Sequence, residues 1–286
     1  MMESHRDLAR DSRAPVPILV GDNGGQRPAS GVAPSARARR PHHDRPPPDR
    51  VLRAGPQGRV QQPTRNALKA IGATRLYSHQ AEAIESAAVS GNHVVVSTST
   101  SSGKSLCYNV PVLESISRPA STSCALYIFP TKALAQDQLQ TLLQMKGQCS
   151  NFDVSIYDGD TPMKDRAKIR DSARLLITNP DMLHMSILPC HAQFTRILSN
   201  LAYVVIDEAH SYKGAFGCHT ALILRRLKRV CADIYGSHPK FIFCTTTLAN
   251  PREDVMELAK LDGVELLQND GSPCGSKFFL LWNRTG

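Results

Sequence analysis

Six short apolar runs alternate with helix-period segments over residues 92–261, and this alternation constrains the fold more than any other feature. The apolar runs cover residues 92–97, 125–129, 154–157, 175–178, 202–206 and 241–244. The segments predicted to be helical cover residues 104–115, 132–146, 163–172, 221–231 and 251–261. Continuously apolar strands separated by helices predict an α/β fold, a doubly wound parallel sheet with helices on both faces.

Charge and composition narrow the classes of partner. The 286 residues carry a formal net charge of +9, which suits a polyanion such as nucleic acid, although a merely basic soluble protein has the same balance. No apolar run reaches the length of about 18 residues that a membrane span needs. The first ten residues contain Glu3 and Asp7 and no apolar stretch, which argues against a secretory signal and a transit peptide.

Residues 1–62 are rich in Arg, Pro, Gly and Ala and poor in large apolar side chains. Such a segment cannot bury enough surface to offset its ordering entropy, so it is predicted to be a disordered basic tail. It is either an arm that touches nucleic acid or an idle tail. The eight cysteines are scattered singly, with no C-x-x-C pair, so zinc-site spacing is absent and reduced thiols of an intracellular protein are predicted.

The segment T-S-T-S-S-G-K-S joins a predicted strand to a predicted helix, the context of a phosphate-binding loop. Backbone N–H groups of such a loop wrap the phosphates, and the helix N-terminus adds favourable partial charge. Lys104 is predicted to reach the β- and γ-phosphates of ATP, and Ser105 to ligate Mg²⁺. The predicted nucleotide-binding residues are Thr98, Ser99, Thr100, Ser101, Ser102, Gly103, Lys104 and Ser105.

Two features of this loop leave an alternative open. Thr98 stands where the usual pattern has its first glycine, although the neighbouring small residues keep the backbone accessible. A Ser/Thr-rich turn with an incidental Gly-Lys-Ser would have the same letters.

A second motif, D-E-A-H at residues 207–210, directly follows the apolar run 202–206. A carboxylate at the C-terminal end of a central parallel strand lies in the ligand crevice of a doubly wound sheet. Asp207 is predicted to hold Mg²⁺ through a water molecule, and Glu208 to orient and deprotonate the attacking water. His210 is predicted to sense the γ-phosphate. The alternative, a solvated helix cap, is disfavoured by the buried strand in front of it.

Further strings stand in the order found in one class of motor proteins. They are Y-S-H-Q at 77–80, P-T-K-A-L at 130–134, D-G-D-T at 158–161, T-N-P-D at 178–181 and T-T-T at 245–247. Together with the loop and D-E-A-H, they resemble the first RecA-like domain, a P-loop NTPase fold, of superfamily-two helicases of the D-E-A-D/H type. That resemblance implies ATP and Mg²⁺ as cofactors and nucleic acid as partner.

Longer strings narrow the resemblance to one branch. L-Y-S-H-Q, Y-D-G-D-T, T-N-P-D-M-L-H and D-E-A-H-S-Y-K-G-x-F-G resemble RecQ-like DNA helicases related to the human RecQ-family helicase number four, over about residues 63–282. The resemblance implies ATP-driven 3′ to 5′ DNA unwinding, a role in DNA repair and a nuclear location. An RNA helicase is the alternative, because D-E-A-H also occurs there, and the branch-specific strings speak against it.

The resemblance also implies roles for single residues. Gln80 would read the adenine edge, and Thr245 and Thr247, with His210, would couple the ATP site to strand contacts. The residues implied to contact the nucleic-acid backbone are Thr131, Lys132, Gly159, Thr178 and Asn179. Thr131 and Asn179 are equally expected as helix caps. The basic residues at 225–229 are expected as a solvated helix face, with a second DNA site as the alternative.

These assignments divide the chain into the tail, a helicase ATP-binding domain over residues 63–270 and the start of an interdomain linker over 271–286. Helicases of this class hydrolyse ATP between two such domains, the second supplying arginine fingers. Because the family's later motifs are not found in these 286 residues, the chain is expected to be truncated and its own hydrolysis slow. The alternative is an ATP- or DNA-binding module without independent helicase activity.

Overall fold

A seven-stranded parallel sheet forms the centre of the fold. The structure, a computed structural model, describes residues 60–146, 152–246 and 248–273. The predicted tail, apart from residues 60–62, and the predicted linker beyond residue 273 lie outside these ranges. Thr247 lies outside them too.

The strands follow one another along the chain but not across the sheet. They are β1 (Val94–Ser97), β2 (Cys124–Ile128), β3 (Asp153–Ile156), β4 (Ala173–Thr178), β5 (Leu201–Ile206), β6 (Lys240–Thr245) and β7 (Glu265–Leu267). Their order across the sheet is β3-β4-β2-β5-β6-β1-β7, and every neighbouring pair is parallel. The carboxyl ends of all seven strands therefore meet at one edge, with β5 in the middle.

Helices and helical turns fill the connections. The α-helices are α1 (Gln62–Ala70), α2 (Ser78–Ile84), α3 (Ser105–Ser117), α4 (Lys132–Lys146), α5 (Met163–Ser172), α6 (Pro180–Met182), α7 (Thr195–Ser199), α8 (Gly214–Arg229) and α9 (Pro251–Ala259). Single π-helical turns extend α2 over Glu85–Val89, α6 over Leu183–Ile187 and α8 over Val230–Ile234.

Two apolar cores lie on the two faces of the sheet, because side chains of successive strand residues point to opposite sides. Val94 and Val96 belong to one core, and Val95 belongs to the other. The first core includes residues of α1 to α4, and the second includes residues of α7, α8 and α9. Burial on both faces explains why the strands are continuously apolar in sequence.

The predicted α/β fold is confirmed, and the six predicted strands coincide with β1 to β6 to within two residues at each end. Strand β7 was not predicted, because it is three residues long and begins with an exposed glutamate. Helix α8 begins seven residues before the predicted Ala221, since Gly214 and Gly217 are weak helix formers that read as loop.

Two further sequence-based expectations concern the state of the thiols and the length of apolar helices. Among the described residues, Cys107, Cys124, Cys231 and Cys244 are buried free thiols, and Cys190 and Cys218 are exposed free thiols. Within the same part of the chain, no helix combines the length and the apolar character needed to cross a membrane.

Candidate functional site

The loop after β1 adopts a turn with two left-handed residues. Ser101 has φ 62° and Gly103 has φ 75°, and the second of these is a conformation that glycine takes at little cost. Thr98 and Ser102 are buried, and their hydroxyl oxygens lie 2.7 Å apart, so one donates to the other across the loop. Thr98, which replaces the usual glycine, thus closes the base of the loop with a hydrogen bond.

Lys104 folds its side chain back over this loop. Its Nζ donates to the carbonyl oxygen of Ser99 at 2.6 Å and to that of Thr98 at 3.2 Å. Ser105 follows as the first residue of α3. The ammonium group and the amino end of a thirteen-residue helix therefore lie at the same loop, which is the arrangement that favours a bound polyphosphate.

Gln80 links this loop to the start of α2. Its Oε1 accepts from the backbone N–H of Tyr77 at 2.9 Å, and its Nε2 donates to the carbonyl oxygen of Gly103 at 2.9 Å. The side chain is buried. The amide keeps a second N–H and a second lone pair, so the predicted adenine contact stays a prediction that this geometry permits.

Asp207 directly follows the central strand β5 and is half-buried among polar groups. Its Oδ2 accepts from the Tyr108 hydroxyl at 2.8 Å, and its Oδ1 accepts from the Glu208 backbone N–H at 2.8 Å. Burial raises the pKa of Asp207, although the hydrogen bonds from Tyr108 and Glu208 and the positive charge of Lys104 act in the opposite direction. The carboxyl is thus costly to ionise until a further cation approaches.

A buried polar network supports Asp207 from below. Tyr108 also lies 3.1 Å from Gln138 Oε1, the Nε2 of Gln138 donates to Asn109 Oδ1 at 2.9 Å, and the Tyr127 hydroxyl donates to the same oxygen at 3.0 Å. The Tyr108 hydroxyl has one proton, and the carboxylate is the stronger acceptor. The network therefore fixes the orientation of Asp207.

The donor set at this edge suits Mg²⁺. The two oxygens of Asp207 each accept one hydrogen bond, which leaves lone pairs for a hard cation. Ser105, the first residue of α3, adds a hydroxyl oxygen. No group of three or more His, Cys, Asp and Glu able to hold a metal occurs in the described ranges. An ion here would therefore complete its coordination with phosphate oxygens and water.

Replacing Asp207 with asparagine should stabilise the nucleotide-free domain at neutral pH. Since burial raises the pKa of the Asp207 carboxyl in the folded state, its ionisation costs folding free energy as pH rises above the ordinary aspartate pKa of about 3.9. We expect the Tm of Asp207→Asn to exceed that of wild type by a few degrees at pH 7 and to converge with it near pH 4, in thermal denaturation scans. The exposed Asp254→Asn is the matched control, and a lower Tm for Asp207→Asn at pH 7 would contradict the expectation.

Glu208 and His210 lie beside Asp207. Glu208 has a left-handed backbone with φ 51°, which turns the chain sharply at the end of β5. Its side chain is 28% exposed, and its Oε2 lies 3.1 Å from His210 Nδ1, although that nitrogen has no hydrogen-bond partner among the described residues. The side chain predicted to activate water thus reaches solvent at the sheet edge and is next to the residue predicted to sense phosphate.

The end of β6 lies against the phosphate-loop strand. Thr245 is paired with Ser97 in the β1–β6 register, and the Ser97 hydroxyl donates to the Thr246 carbonyl oxygen at 3.2 Å. Thr245 is fully buried, and its hydroxyl has no hydrogen-bond partner within the described residues. The predicted coupling role of Thr245 is compatible with this position. Thr247, the other predicted coupling residue, is not among the described residues.

Thr131 and Lys132 begin α4 at the same carboxyl edge. The Thr131 hydroxyl accepts from the Leu134 N–H at 3.4 Å, as a helix cap does. Lys132 Nζ donates to Asp160 Oδ2 at 2.5 Å, and both side chains are more than half exposed. Lys132 is therefore accessible to a phosphate that can compete with Asp160.

The other predicted backbone contacts differ in accessibility. Gly159 is exposed, with open space around it. Asn179 caps α6, its Oδ1 accepting from the Met182 N–H at 2.8 Å. Thr178 is buried, and its hydroxyl donates to the Tyr157 carbonyl oxygen at 2.7 Å. In this conformation the Thr178 hydroxyl bonds within the protein, so a nucleic-acid contact at this position would be made by neighbouring residues.

Among the basic residues of α8, one forms hydrogen bonds within the protein and two are exposed to solvent. Lys228 Nζ donates to the carbonyl oxygens of Ala259 and Lys260 at the end of α9, while Arg225 and Arg229 are exposed. The exposed arginines are compatible with both the expected solvated face and the alternative of a second DNA site, which stay predictions.

Two groups at the site were not predicted from sequence. The network of Tyr108, Asn109 and Gln138 had a signal, since Asn109 is a polar residue within the largely apolar stretch 106–113 of α3. Asp270, whose Oδ2 accepts from the Ser99 N–H at 3.1 Å, had none, because it follows the unpredicted strand β7.

Comparison with known proteins gives a family and close relatives. The DEAD/DEAH box helicase family matches residues 77–255. The chain is 47% identical over 212 residues to the ATP-dependent helicase HRQ1 of Saccharomyces cerevisiae, covering 72% of this chain and 19% of that protein. It is 45% identical over 219 residues to the uncharacterized ATP-dependent helicase YprA of Bacillus subtilis, covering 76% and 29%.

A solved structure agrees with these sequence relatives. The helicase MrfA, crystallised with DNA and AMPPNP, superposes with a TM-score of 0.72 at 44% identity, covering 76% of this chain and 30% of that chain. The chain thus spans between about a fifth and a third of the length of these relatives.

Proposed function

The chain belongs to the DEAD/DEAH box helicase family, and on that basis we propose that its RecA-like domain binds Mg²⁺-ATP at the carboxyl edge of the sheet and uses it to act on DNA. One observation carries the proposal. The loop after β1, which carries Lys104, and the D-E-A-H segment after β5, which carries Asp207, both follow the carboxyl ends of parallel strands and meet at that edge. A cation-lined loop facing a carboxylate suits a metal-bound polyphosphate.

The residues divide the proposed chemistry among them. The loop amides and Lys104 would hold the phosphates, and Gln80 would read the adenine edge. Bound Mg²⁺, held by Ser105 and Asp207, would neutralise charge on the phosphate oxygens. Glu208 would accept a proton from the water that attacks the γ-phosphorus as ADP leaves, and His210, 3.1 Å from that carboxylate, would sense the γ-phosphate.

DNA is proposed as the partner rather than RNA, with support from the MrfA structure, which contains DNA. Lys132 begins α4, and Gly159 and Asn179 lie in the connections that follow β3 and β4, at the edge that also carries the nucleotide site. A lysine and exposed loop amides suit a sugar–phosphate backbone and provide no base readout. Three-prime to five-prime unwinding is proposed as the activity that such a domain powers.

A finer assignment rests on sequence strings alone. We propose that this chain comes from a RecQ-like DNA helicase that acts in DNA repair in the nucleus, because its strings Y-D-G-D-T and T-N-P-D-M-L-H resemble those of the RecQ-like branch. Tagged protein that remains in the cytoplasm of a cell expressing it would overturn the nuclear assignment.

The experiment is a binding titration of the full chain with labelled oligo-dT, with and without Mg²⁺-AMPPNP, followed by fluorescence anisotropy. Oligo-U of equal length is the comparison. We expect binding to oligo-dT that depends on the nucleotide. Tighter binding to oligo-U would favour the RNA alternative, and no binding of Mg²⁺-AMPPNP would overturn the proposal.

Lys132→Ala should weaken DNA binding in a salt-dependent way. One phosphate contact fewer reduces the slope of log affinity against log salt by about 0.7 for single strands. Lys146→Ala is the matched control, because Lys146 lies at the other end of α4 and pairs with Asp153 at 2.9 Å. Equal salt slopes for Lys132→Ala and wild type would remove Lys132 from the proposed contact surface.

A further inference from the structure

The turn formed by residues 270–272 reaches back to the phosphate loop. Strand β7 pairs with β1, with Val94 opposite Glu265 and Val96 opposite Leu267, so the chain leaving β7 emerges beside the loop that leaves β1. There the Ser99 N–H donates to Asp270 Oδ2 at 3.1 Å, and the Ser99 hydroxyl donates to the same oxygen. Two residues 171 positions apart in sequence are thereby joined at the loop.

The Asp270 carboxylate is fully engaged in this arrangement. Its Oδ1 accepts from the Ser272 N–H at 2.9 Å and from the Ser272 hydroxyl at 2.6 Å. Desolvation acts to raise the pKa of Asp270, but the hydrogen bonds from Ser272 and Ser99 outweigh it and hold the pKa well below its usual range. The contact to Ser99 is therefore made by an ionised carboxylate, the stronger kind of acceptor.

The same turn also touches the residues that precede Gln80. The Gly271 N–H donates to His79 Nδ1 at 3.2 Å, and Asp270 Oδ1 lies 3.8 Å from that nitrogen. A side chain at Gly271 would collide with the Ser78 hydroxyl. The turn thus bridges the loop that would hold phosphates and the segment that would hold the base.

The loop needs support from outside, because it is not rich in glycine. Ser101 is a non-glycine residue with a left-handed backbone, a conformation that persists only where the surroundings enforce it. Gln80 holds the far end of the loop through the Gly103 carbonyl oxygen. Asp270 holds the near end through Ser99.

We propose that Asp270 is a positioning residue for the nucleotide, fixing Ser99 so that the loop has its anion-binding shape before the phosphates arrive. This inference rests on the proposed function. A binding loop ordered in advance does not have to be ordered by the ligand, so affinity is higher than for a loose loop. Asp270 contributes to affinity without touching the nucleotide.

The test measures the Kd of a fluorescent ATP analogue with Mg²⁺ for variants of the full chain. We expect Asp270→Ala to raise Kd about tenfold, the effect of losing one charge-assisted contact. Asp270→Asn keeps an acceptor oxygen for Ser99 and should raise Kd only about threefold. Asp262→Ala removes an exposed carboxylate that lies before β7, between α9 and that strand, and it should bind as wild type does.

Each outcome decides the matter. The inference stands if Kd rises in Asp270→Ala, falls back in Asp270→Asn, and the Tm of the nucleotide-free variants stays close to wild type. It is overturned if Asp270→Ala binds as wild type does, or if Asp262→Ala weakens binding equally. Should Asp270→Ala fail to fold, the Kd of Asp270→Asn decides, and a value equal to wild type overturns the inference. If Lys104→Ala abolishes binding while Asp270→Ala does not weaken it, this inference fails and the proposed function stands; if wild type binds no nucleotide, both fail.

Discussion

Lys104→Ala loses nucleotide binding, with Kd for Mg²⁺-ATP rising at least about a hundredfold. The Lys104 ammonium is the cation at the loop, where it donates to the carbonyl oxygens of Thr98 and Ser99. Exchange of these neutral acceptors for phosphate oxygens gives the charge-assisted contact that a polyanion needs. Alanine removes that contact and also loosens the loop that the lysine holds.

The measurement is a calorimetric or fluorescence titration of each variant with Mg²⁺-ATP. Lys164→Ala is a suitable control, because Lys164 is an exposed lysine on α5. Helix α5 packs near β4, which lies on the β3 side of the sheet, whereas β1 and its loop lie on the β7 side. Lys104→Ala with nearly wild-type affinity, in a protein of unchanged Tm, would mean that this loop is a Ser/Thr-rich turn and not the phosphate site.

Glu208→Gln should separate binding from hydrolysis. The carboxyl of Glu208 is partly exposed at the end of β5, where it can take a proton from water that attacks the terminal phosphate. Glutamine keeps the shape but cannot act as a base, and loss of a general base slows a reaction by about a hundredfold to ten-thousandfold. We expect nucleotide affinity to remain within about threefold of wild type, since the Glu208 side chain lies beside His210 and, among the described residues, forms no hydrogen bond with the phosphate loop.

Single-turnover hydrolysis of radiolabelled ATP, with protein in excess and long sampling times, gives the rate even when turnover is slow. Glu253→Gln replaces an exposed glutamate in the first turn of α9 and should leave the rate unchanged. A Glu208→Gln rate equal to wild type would assign the role of base to another group. A large loss of affinity would instead make Glu208 part of the binding site.

The architecture was predictable because the strongest signals in the sequence are also the dominant forces in the fold. Strands such as β5, buried on both faces, must be apolar throughout, and such runs stand out between helices. The D-E-A-H carboxylates were found for the same reason. Charged residues directly after a buried strand have few positions open to them other than the carboxyl edge.

The rest depended on contacts between distant parts of the chain. Nothing local marks Asp270 as a partner of Ser99, because the pairing exists only once β7 lies beside β1. The burial of the Thr178 hydroxyl under Tyr157 likewise follows from register between neighbouring strands. Such contacts are set by tertiary packing, which a reading of residue types and spacing does not contain.

The position of β7 has a mechanical consequence. Three residues of β7 are paired in parallel with β1, and three residues further on Asp270 is bonded to Ser99. Traction applied to the chain beyond this turn would load the contacts of Asp270 with Ser99 and of Gly271 with His79, and would load the β1–β7 hydrogen bonds in shear. Tension on the chain that leaves β7 would then pull on the contact that shapes the phosphate loop and would lower the affinity of the loop for phosphate.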